Sequence, residues 1–250
     1  MLDPTQSTTL ADIKGIIRQE ADQSFRYSRF LKLLQPEIDK PDRDHNWDLW
    51  FFSDNTTFCM DSARIICVEI LEHGVQYYRT IQQHKNADVG FTFIDLRRKF
   101  ASYCMFLYAA VESFLHEVNF FYECSLQRFD VKISKIAPRL REVRRGASLN
   151  DHLHKIYASP NEEIDDDIKF LFEYRNAIVH GYVFPISGTS SGIFLTKKPR
   201  EVVTFNSSDL ELISFCKRIY DKIFDFINDG WKCFSVDELG QPREIDQLNF

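Results

Sequence analysis

The feature that most constrains the fold is an uninterrupted helical pattern from Thr92 to Cys124. Its apolar positions recur at steps of one, three or four residues: Phe106, Leu107, Ala110, Phe114, Val118 and Phe121. An α-helix turns about 100° per residue, so this recurrence gathers them into one stripe. Other elements must cover such a stripe, which predicts a mainly α fold, an antiparallel helical bundle. A polar seam is predicted on the opposite side: Glu112, His116, Asn119 and Glu123.

Two further helical patterns precede this segment, at Leu10–Leu34 and at Asn55–Gln83. Apolar residues recur in both at helical spacing. Between them lies an aromatic cluster, Trp47 to Phe52, which is too short for a helix of its own. We expect this cluster to pack as a plug against the core, because basic residues are not interleaved with it as they are in base-stacking surfaces.

Three start signals follow the long helix. Pro138 is predicted to open a short helix, with its neighbouring arginines facing outward. The capping box Ser159–Glu162 opens the next helix, and Gly181 is placed to end it in a left-handed cap. A second capping box, Ser208–Glu211, opens a final helix that is expected to end near Asn228.

The pattern changes between residues 182 and 205, where short apolar runs surround the segment Gly188–Gly192. Runs of this kind predict a small β-hairpin or three-stranded insert. We therefore expect an N-terminal helical extension at 1–90 and a helical bundle at 91–230 that carries the β insert. Residues 231–250 would form a C-terminal tail.

Composition favours a cytoplasmic protein with no membrane segment. The longest relevant apolar run, Tyr103–Val111, is far shorter than the roughly 20 residues that cross a bilayer. No basic region followed by an apolar stretch opens the chain, so no secretory signal is expected. The six cysteines contain no C-x-x-C pair, and reduced, buried thiols are the expected state.

Charge is unevenly distributed along the chain. The formal net charge of −6 argues against indiscriminate coating of nucleic acid. Between Val131 and Ala158, however, seven positive residues stand against two acidic ones. This basic strip favours a selective RNA or phosphate ligand, and its candidate RNA-binding residues are Arg139, Arg141, Arg144 and Arg145. It is equally typical of a solvated face that meets an acidic partner subunit.

The chain has no motif for a cofactor: no phosphate-binding glycine loop, no G-x-S-x-G and no H-E-x-x-H. His152 and His154 would both face a metal ion if they lay in a strand. Asp151 is the sole nearby third ligand, so no metal site and no cofactor are predicted.

The candidate functional residues are Arg175, Asn176 and His180, at the end of the helix that Gly181 terminates. Residues four apart share a helix face, which places Asn176 beside His180, and the long side chain of Arg175 can reach the same place. Together they provide a permanent anion-binding fork, an amide and a group that titrates near neutrality. This set suits phosphodiester chemistry, although arginine and histidine at a helix C-terminus can simply complement the dipole.

Arg, Asn, three apolar positions, His and Gly at the end of a late helix resemble the signature of the HEPN superfamily. The resemblance covers roughly residues 92–229 and implies an α-helical bundle, often a metal-independent ribonuclease. It further implies a homodimer that brings two motifs to one cleft, in a toxin–antitoxin or antiviral defence system with a partner protein. On this basis we assign His180 to proton transfer, Arg175 to phosphate stabilisation and Asn176 to orientation.

The resemblance also implies roles for neighbouring residues. Many family members carry an acidic residue on the preceding helix that meets the motif arginine, and Glu112 and His116 are the candidates for this supporting shell. Alternatively, the seam faces water. Tyr182 resembles the tyrosine that receives a neutralising AMP group in some HEPN toxins, although a packing role suits it better here. Some superfamily members are inactive, so the alternative function is that of a scaffold or partner-binding subunit.

Overall fold

The computed structural model describes residues 46–83, 90–142, 147–156, 166–181, 186–189, 192–195 and 210–239. These residues are mainly helical, which confirms the predicted fold class at that level. The helices are α1 (Asn46–Gln83), α2 (Gly90–Phe121), α3 (Ile133–Glu142), α4 (Ala147–Ile156), α5 (Asp166–Val179) and α6 (Leu212–Leu239). A three-residue 3-10 turn, Arg128–Asp130, lies between α2 and α3.

The chain divides into two compact units. The first unit contains the described residues between Ser62 and Phe106 and between Asp167 and Tyr220. The second unit contains the described residues up to Asp61, between Leu107 and Asp166, and from Asp221 onward. Helices α1, α2 and α6 therefore each contribute residues to both units. The predicted division at residue 230 falls inside α6.

Helix α1 begins at Asn46, earlier than the predicted Asn55, because the aromatic cluster forms its first turns. The expectation that the cluster is too short for a helix was therefore wrong, whereas its packing against the core is confirmed at Phe52. Phe52 stacks on Phe120 of α2, with ring centroids 5.5 Å apart, so a contact distant in sequence supports this end of the helix. Ile65, one of the apolar residues that recur at helical spacing in this segment, is 53% exposed. The predicted helix Leu10–Leu34 lies outside the described residues.

Helix α3 begins at Ile133, and Pro138 lies inside it rather than at its start. A proline in a helix interior lacks the amide hydrogen of one i→i−4 bond, so the local sequence disfavours this arrangement. Burial of one apolar face offsets that cost: Ile133, Ile136, Ala137 and Leu140 are all buried. The predicted outward direction of Arg139 and Arg141 is confirmed, since both are exposed.

Helix α6 differs from its prediction at both ends. Its cap is the carboxylate of Glu211, which accepts hydrogen bonds from the amides of Ile213 (3.2 Å) and Ser214 (2.7 Å). The helix continues past Asn228 to Leu239 and contains Gly230. A Cβ atom on Gly230 would lie 2.3 Å from Cζ of Phe114, so this glycine permits close packing and does not end the helix.

A three-stranded antiparallel sheet follows α5, in the order β1 (Ile186–Thr189), β2 (Gly192–Leu195) and β3 (Leu210–Glu211). The β1–β2 pairing, from Ile186 opposite Leu195 to Thr189 opposite Gly192, is the predicted hairpin. The third strand lies beyond the predicted range 182–205 and leads directly into α6.

The cysteines are all thiols, as predicted, and none of the six forms a disulfide. Five are buried and Cys233 is half-buried. Burial raises the pKa of the Cys104 and Cys216 thiols well above the ordinary value, which keeps them protonated. Within the described part of the chain, no helix has the length and apolar character needed to cross a membrane.

Candidate functional site

The three motif residues occupy the last turn of α5 and the turn that follows it. Arg175 is half-buried, whereas Asn176 and His180 are exposed. Nη1 of Arg175 donates a hydrogen bond of 3.1 Å to Oδ1 of Asn176. The guanidinium thus reaches its neighbour's side chain, and the amide group of Asn176 keeps its two N–H donors for other ligands.

His180 lies in the turn that follows α5, and backbone hydrogen bonds fix this turn. The backbone amide of His180 donates to the carbonyl of Asn176 at 3.1 Å, which closes the last α-helical turn. The amide of Gly181 donates to the carbonyl of Ile178 at 2.9 Å, and Gly181 has a φ of +78°. This left-handed cap was predicted and is confirmed. It ends the helix at Val179, directly before His180, whose side chain is exposed.

The opposite face of α5 is anchored in the core of the first unit. Tyr174 is 1% exposed, and its ring lies 4.9 Å from that of Phe100 in an edge-on contact. Phe170 packs against Tyr174 (5.6 Å) and against Phe215 of α6 (5.1 Å). Because Tyr174 is fixed inside, its neighbour Arg175 is held near the surface with a defined starting direction.

An ion pair adds a second anchor at the start of α5. Arg218 of α6 binds Asp167 through Nε and Nη2, with both distances at 3.3 Å. Paired arginine–carboxylate bonds fix orientation as well as distance. The helix that carries the motif is therefore attached to α6 by aromatic packing and by this ion pair, and a rigid support of this kind suits a binding site.

The polar seam of α2 does not form a uniform solvent face. Glu112 is exposed, as the seam predicts, but Asn119 is 5% exposed and binds both backbone groups of Leu126. His116 is half-buried and stacks on Phe52, with centroids 4.4 Å apart and planes inclined by 9°. Its burial, and secondarily the charge of Arg128, lower the pKa of His116. The supporting role of Glu112 and His116 towards Arg175 stays a prediction.

The described part of the basic strip is partly neutralised by its own neighbours. Arg139 pairs with Glu142, and Lys135 pairs with Asp130. These four residues border a surface depression of about 360 Å³, completed by Leu126, Ser134 and Pro138. RNA contacts by Arg139 and Arg141 stay predictions, and Arg144 and Arg145 lie outside the described residues, as does Tyr182.

The hypothesis of a metal site at His152 and His154 required a strand, but both residues lie in α4. The condition for that site is therefore not met. His152 is buried, and its Nε2 lies 2.7 Å from the carbonyl oxygen of Phe226. Its ring also stacks on that of Phe226 at 5.2 Å, which gives His152 a place in the core of the second unit.

A buried carboxyl group, Glu117 of α2, was missed by the sequence analysis. Glu117 is 0% exposed. The indole N–H of Trp231 donates to its Oε2 at 2.8 Å, and its Oε1 contacts the hydroxyl of Thr56. Burial raises the pKa of Glu117 to about 7, against the opposing effect of its hydrogen bonds. A helical projection could have found it, since Glu117 lies 60° from Phe114 at the edge of the apolar stripe.

The hydrogen bonds around Glu117 indicate its protonation state. The hydroxyl of Thr56 also donates to the carbonyl oxygen of Phe52 at 2.9 Å. A hydroxyl has a single hydrogen, so it cannot donate to Phe52 and to Glu117 at once. A protonated Glu117 resolves this, because its O–H donates to Thr56 while its other oxygen accepts from Trp231. With its pKa raised to about 7, Glu117 holds this proton below neutral pH and loses it above.

Searches against protein-family models, curated proteins and solved structures found no match to this chain.

Proposed function

We propose that this chain is a metal-independent endoribonuclease of the HEPN type. The observation that carries the proposal is the end of α5, where Arg175 and Asn176 are joined by a side-chain hydrogen bond and His180 is exposed. A guanidinium, an amide and an imidazole on one supported helix end are the groups that phosphodiester cleavage requires.

In this proposal Arg175 binds the scissile phosphate. A guanidinium presents paired N–H donors to phosphate oxygens and keeps its charge at every physiological pH. As negative charge grows on the phosphorus oxygens in the transition state, the attraction to Arg175 grows with it. Asn176 positions the guanidinium through their hydrogen bond and can direct its amide N–H donors to the same phosphate.

His180 transfers the protons. A base removes the proton of the RNA 2′-hydroxyl, and the resulting oxygen attacks the adjacent phosphorus. The bond to the 5′-oxygen breaks, and an acid protonates that leaving oxygen. The products are a 2′,3′-cyclic phosphate and a 5′-hydroxyl. Because one histidine cannot be base and acid at the same instant, we propose a homodimer in which two chains each supply His180 and Arg175.

The setting that suits such an activity is a toxin or an antiviral defence effector in the cytoplasm, with a partner protein that restrains or activates it. This part of the proposal rests on the resemblance of residues 175–181 to the superfamily signature.

The test is cleavage of total RNA and tRNA by the purified chain in EDTA, with chemical mapping of the new ends. Wild-type protein should produce cyclic-phosphate ends, and His180→Ala and Arg175→Ala should not. Arg98→Ala is the matched control, because Arg98 is an exposed arginine of the same unit outside the motif. A substrate with one 2′-deoxynucleotide at the mapped position should resist cleavage, since it lacks the nucleophile.

Cleavage that persists in His180→Ala, or that leaves 3′-hydroxyl ends, contradicts the proposal. If wild-type protein is folded and dimeric but cuts no RNA, the scaffold function replaces it.

A further inference from the structure

The most exposed aromatic residue in the described chain is Phe129, at 89% exposure. It lies in the 3-10 turn between α2 and α3, in the second unit. Most of the ring is in contact with water, so it contributes little apolar burial to folding. Single exposed apolar residues are common, so the surroundings of Phe129 decide whether the exposure has a use.

The chain before Phe129 is held in one conformation. Glu123 and Ser125 have φ values of 53° and 57°, in a left-handed region that residues other than glycine rarely adopt. Asn119 stabilises this path, since its side chain accepts from the amide of Leu126 at 3.0 Å and donates to the carbonyl of Leu126 at 3.1 Å. The backbone amide of Cys124 adds a bond of 2.9 Å to the carbonyl of Asn119.

The chain after Phe129 is held equally well. The amide of Asp130 donates to the carbonyl of Gln127 at 2.8 Å, which closes the turn. The carboxylate of Asp130 pairs with Lys135 of α3, and Val131 is 7% exposed. Phe129 is thus displayed outward by a turn that is anchored on both sides, so a ligand that contacts the ring would not have to order the turn first.

Two basic residues flank Phe129 in the sequence. Arg128 and Lys132 are both exposed, one directly before Phe129 and one three residues after it. Lys135 and Arg139 farther along form ion pairs with Asp130 and Glu142. Lys132 also lies close enough to Asp130 to help lower the pKa of that carboxyl, although Lys135 has the larger effect. The positive charge of Arg128 also acts inside the protein, where it lowers the pKa of His116.

We propose that Phe129, Arg128 and Lys132 form a contact surface for single-stranded RNA, in which one base stacks on the phenyl ring and the two cations bind the adjoining phosphates. Stacking on an exposed ring needs an unpaired base, so the surface selects single strands over duplexes. The inference rests on the proposed function in taking RNA as the ligand, and it adds the form of RNA that is bound.

The test is binding of a fluorescent, unstructured 12-nucleotide RNA and of its duplex, measured by anisotropy on the full chain in EDTA. His180→Ala serves as the background, so that the probe stays intact. Phe129→Ala should weaken single-strand binding about 5- to 150-fold, the range for one stacked base. Phe129→Trp should restore it. Arg128→Gln and Lys132→Gln should each lower the salt dependence by about one phosphate contact.

Phe51→Ala is the matched control, because Phe51 is 57% exposed, belongs to the same unit and has acidic residues nearby in place of cations. It should leave RNA affinity unchanged. Equal affinity of Phe129→Ala and its background overturns the proposal, as does equal binding of duplex and single strand. A change in oligomeric mass instead of RNA affinity also overturns it and makes Phe129 part of a protein interface.

The two proposals fail separately. RNA that is bound through Phe129 but not cut by the wild-type chain removes only the nuclease function. Cleavage with unaltered affinity in Phe129→Ala removes only the contact surface.

Discussion

In the second unit, Glu117 is fully buried and both of its carboxyl oxygens contact hydrogen-bonding groups of the protein. In the first unit, His180 follows the end of its helix and is exposed, and the side chains of Arg175 and Asn176 in the last helical turn bind each other. Both places are clusters of polar side chains on α-helices. One is enclosed by the core, and the other is open to a ligand.

The two clusters differ in role: buried polar groups stabilise the fold, and exposed polar groups can act on a ligand. A buried ionisable group must find all its partners inside the protein or become neutral, and Glu117 does both. An exposed group keeps its charge or its proton exchange with water, and only such a group can bind or react with a molecule from outside. We therefore expect substitutions at His180 to change activity at constant stability, and substitutions around Glu117 to do the reverse.

The largest effect is expected for His180→Ala. If the imidazole transfers protons in RNA cleavage, its loss should slow the reaction about 100- to 10,000-fold. Because the side chain is exposed, the free energy of unfolding should change by less than about 0.5 kcal/mol. Single-turnover cleavage rates and urea denaturation measure the two quantities. A loss of activity that accompanies a large loss of stability would give His180 a structural role instead.

The next largest effect should be the pH dependence of Glu117→Gln. Folding raises the pKa of Glu117 from about 4.5 to about 7, so the folded state binds the proton more tightly. The stabilisation by this group is then complete below pH 4.5 and disappears as the pH rises through 7, a change of about 3 kcal/mol. Glutamine reproduces the hydrogen bonds of the neutral acid at every pH.

Denaturation of both proteins at pH 5 and pH 8 tests this expectation. Relative to wild type, the free energy of unfolding of Glu117→Gln should be higher at pH 8 than at pH 5. Glu112→Gln is the matched control, since Glu112 is an exposed glutamate of the same helix and should show no such difference. Equal pH profiles for wild type and Glu117→Gln would mean that Glu117 is ionised in the folded protein.

A smaller loss is expected for Gly230→Ala in the core of the second unit. The added methyl group would overlap the ring of Phe114, whose Cζ lies 2.3 Å from the Cβ position. Overpacking of this kind costs about 1–3 kcal/mol, even though alanine favours a helix more than glycine does. Thermal denaturation measures the loss, and an increase in melting temperature would show that Phe114 moves aside readily.

The smallest effect should come from Gly181→Ala, at the open site. No atom lies within 4 Å of the Cβ position, so packing is unaffected, but the φ of +78° disfavours a side chain. The strain should cost about 1 kcal/mol. Because this turn positions His180, the transition-state stabilisation calculated from the cleavage rate should fall by more than the free energy of unfolding does. Gly181→Asn, which tolerates the left-handed region better, should recover part of both.

The parts of the fold that could be predicted are those that depend on neighbours in sequence. Leu107, Ala110, Phe114 and Val118 recur at helical spacing and are all buried in α2. The cap at Gly181 likewise needs only the local order of residues. The motif was recognisable for the same reason, because Arg175, Asn176 and His180 lie within one turn and a half of a single helix.

The wrong predictions concern features that are decided by contacts between distant segments. The first turns of α1 are supported by Phe52 against His116 and Phe120, a pairing that no local pattern records. Pro138 and Gly230 look like helix boundaries, yet tertiary packing holds both inside helices. Glu117 was missed because a charged residue type suggests exposure, whereas its surroundings make it a neutral core residue.

Each of the two units contains buried cysteines, so local unfolding of each unit can be observed separately. Cys104 and Cys216 are buried in the first unit, and Cys59 and Cys124 in the second, while Cys233 is half-buried. Alkylating reagents attack a thiolate that they can reach, so each buried sulfur stays unmodified until its surroundings open. Timed alkylation under native conditions, followed by peptide mass spectrometry, would therefore record how often each unit opens, without any engineered label.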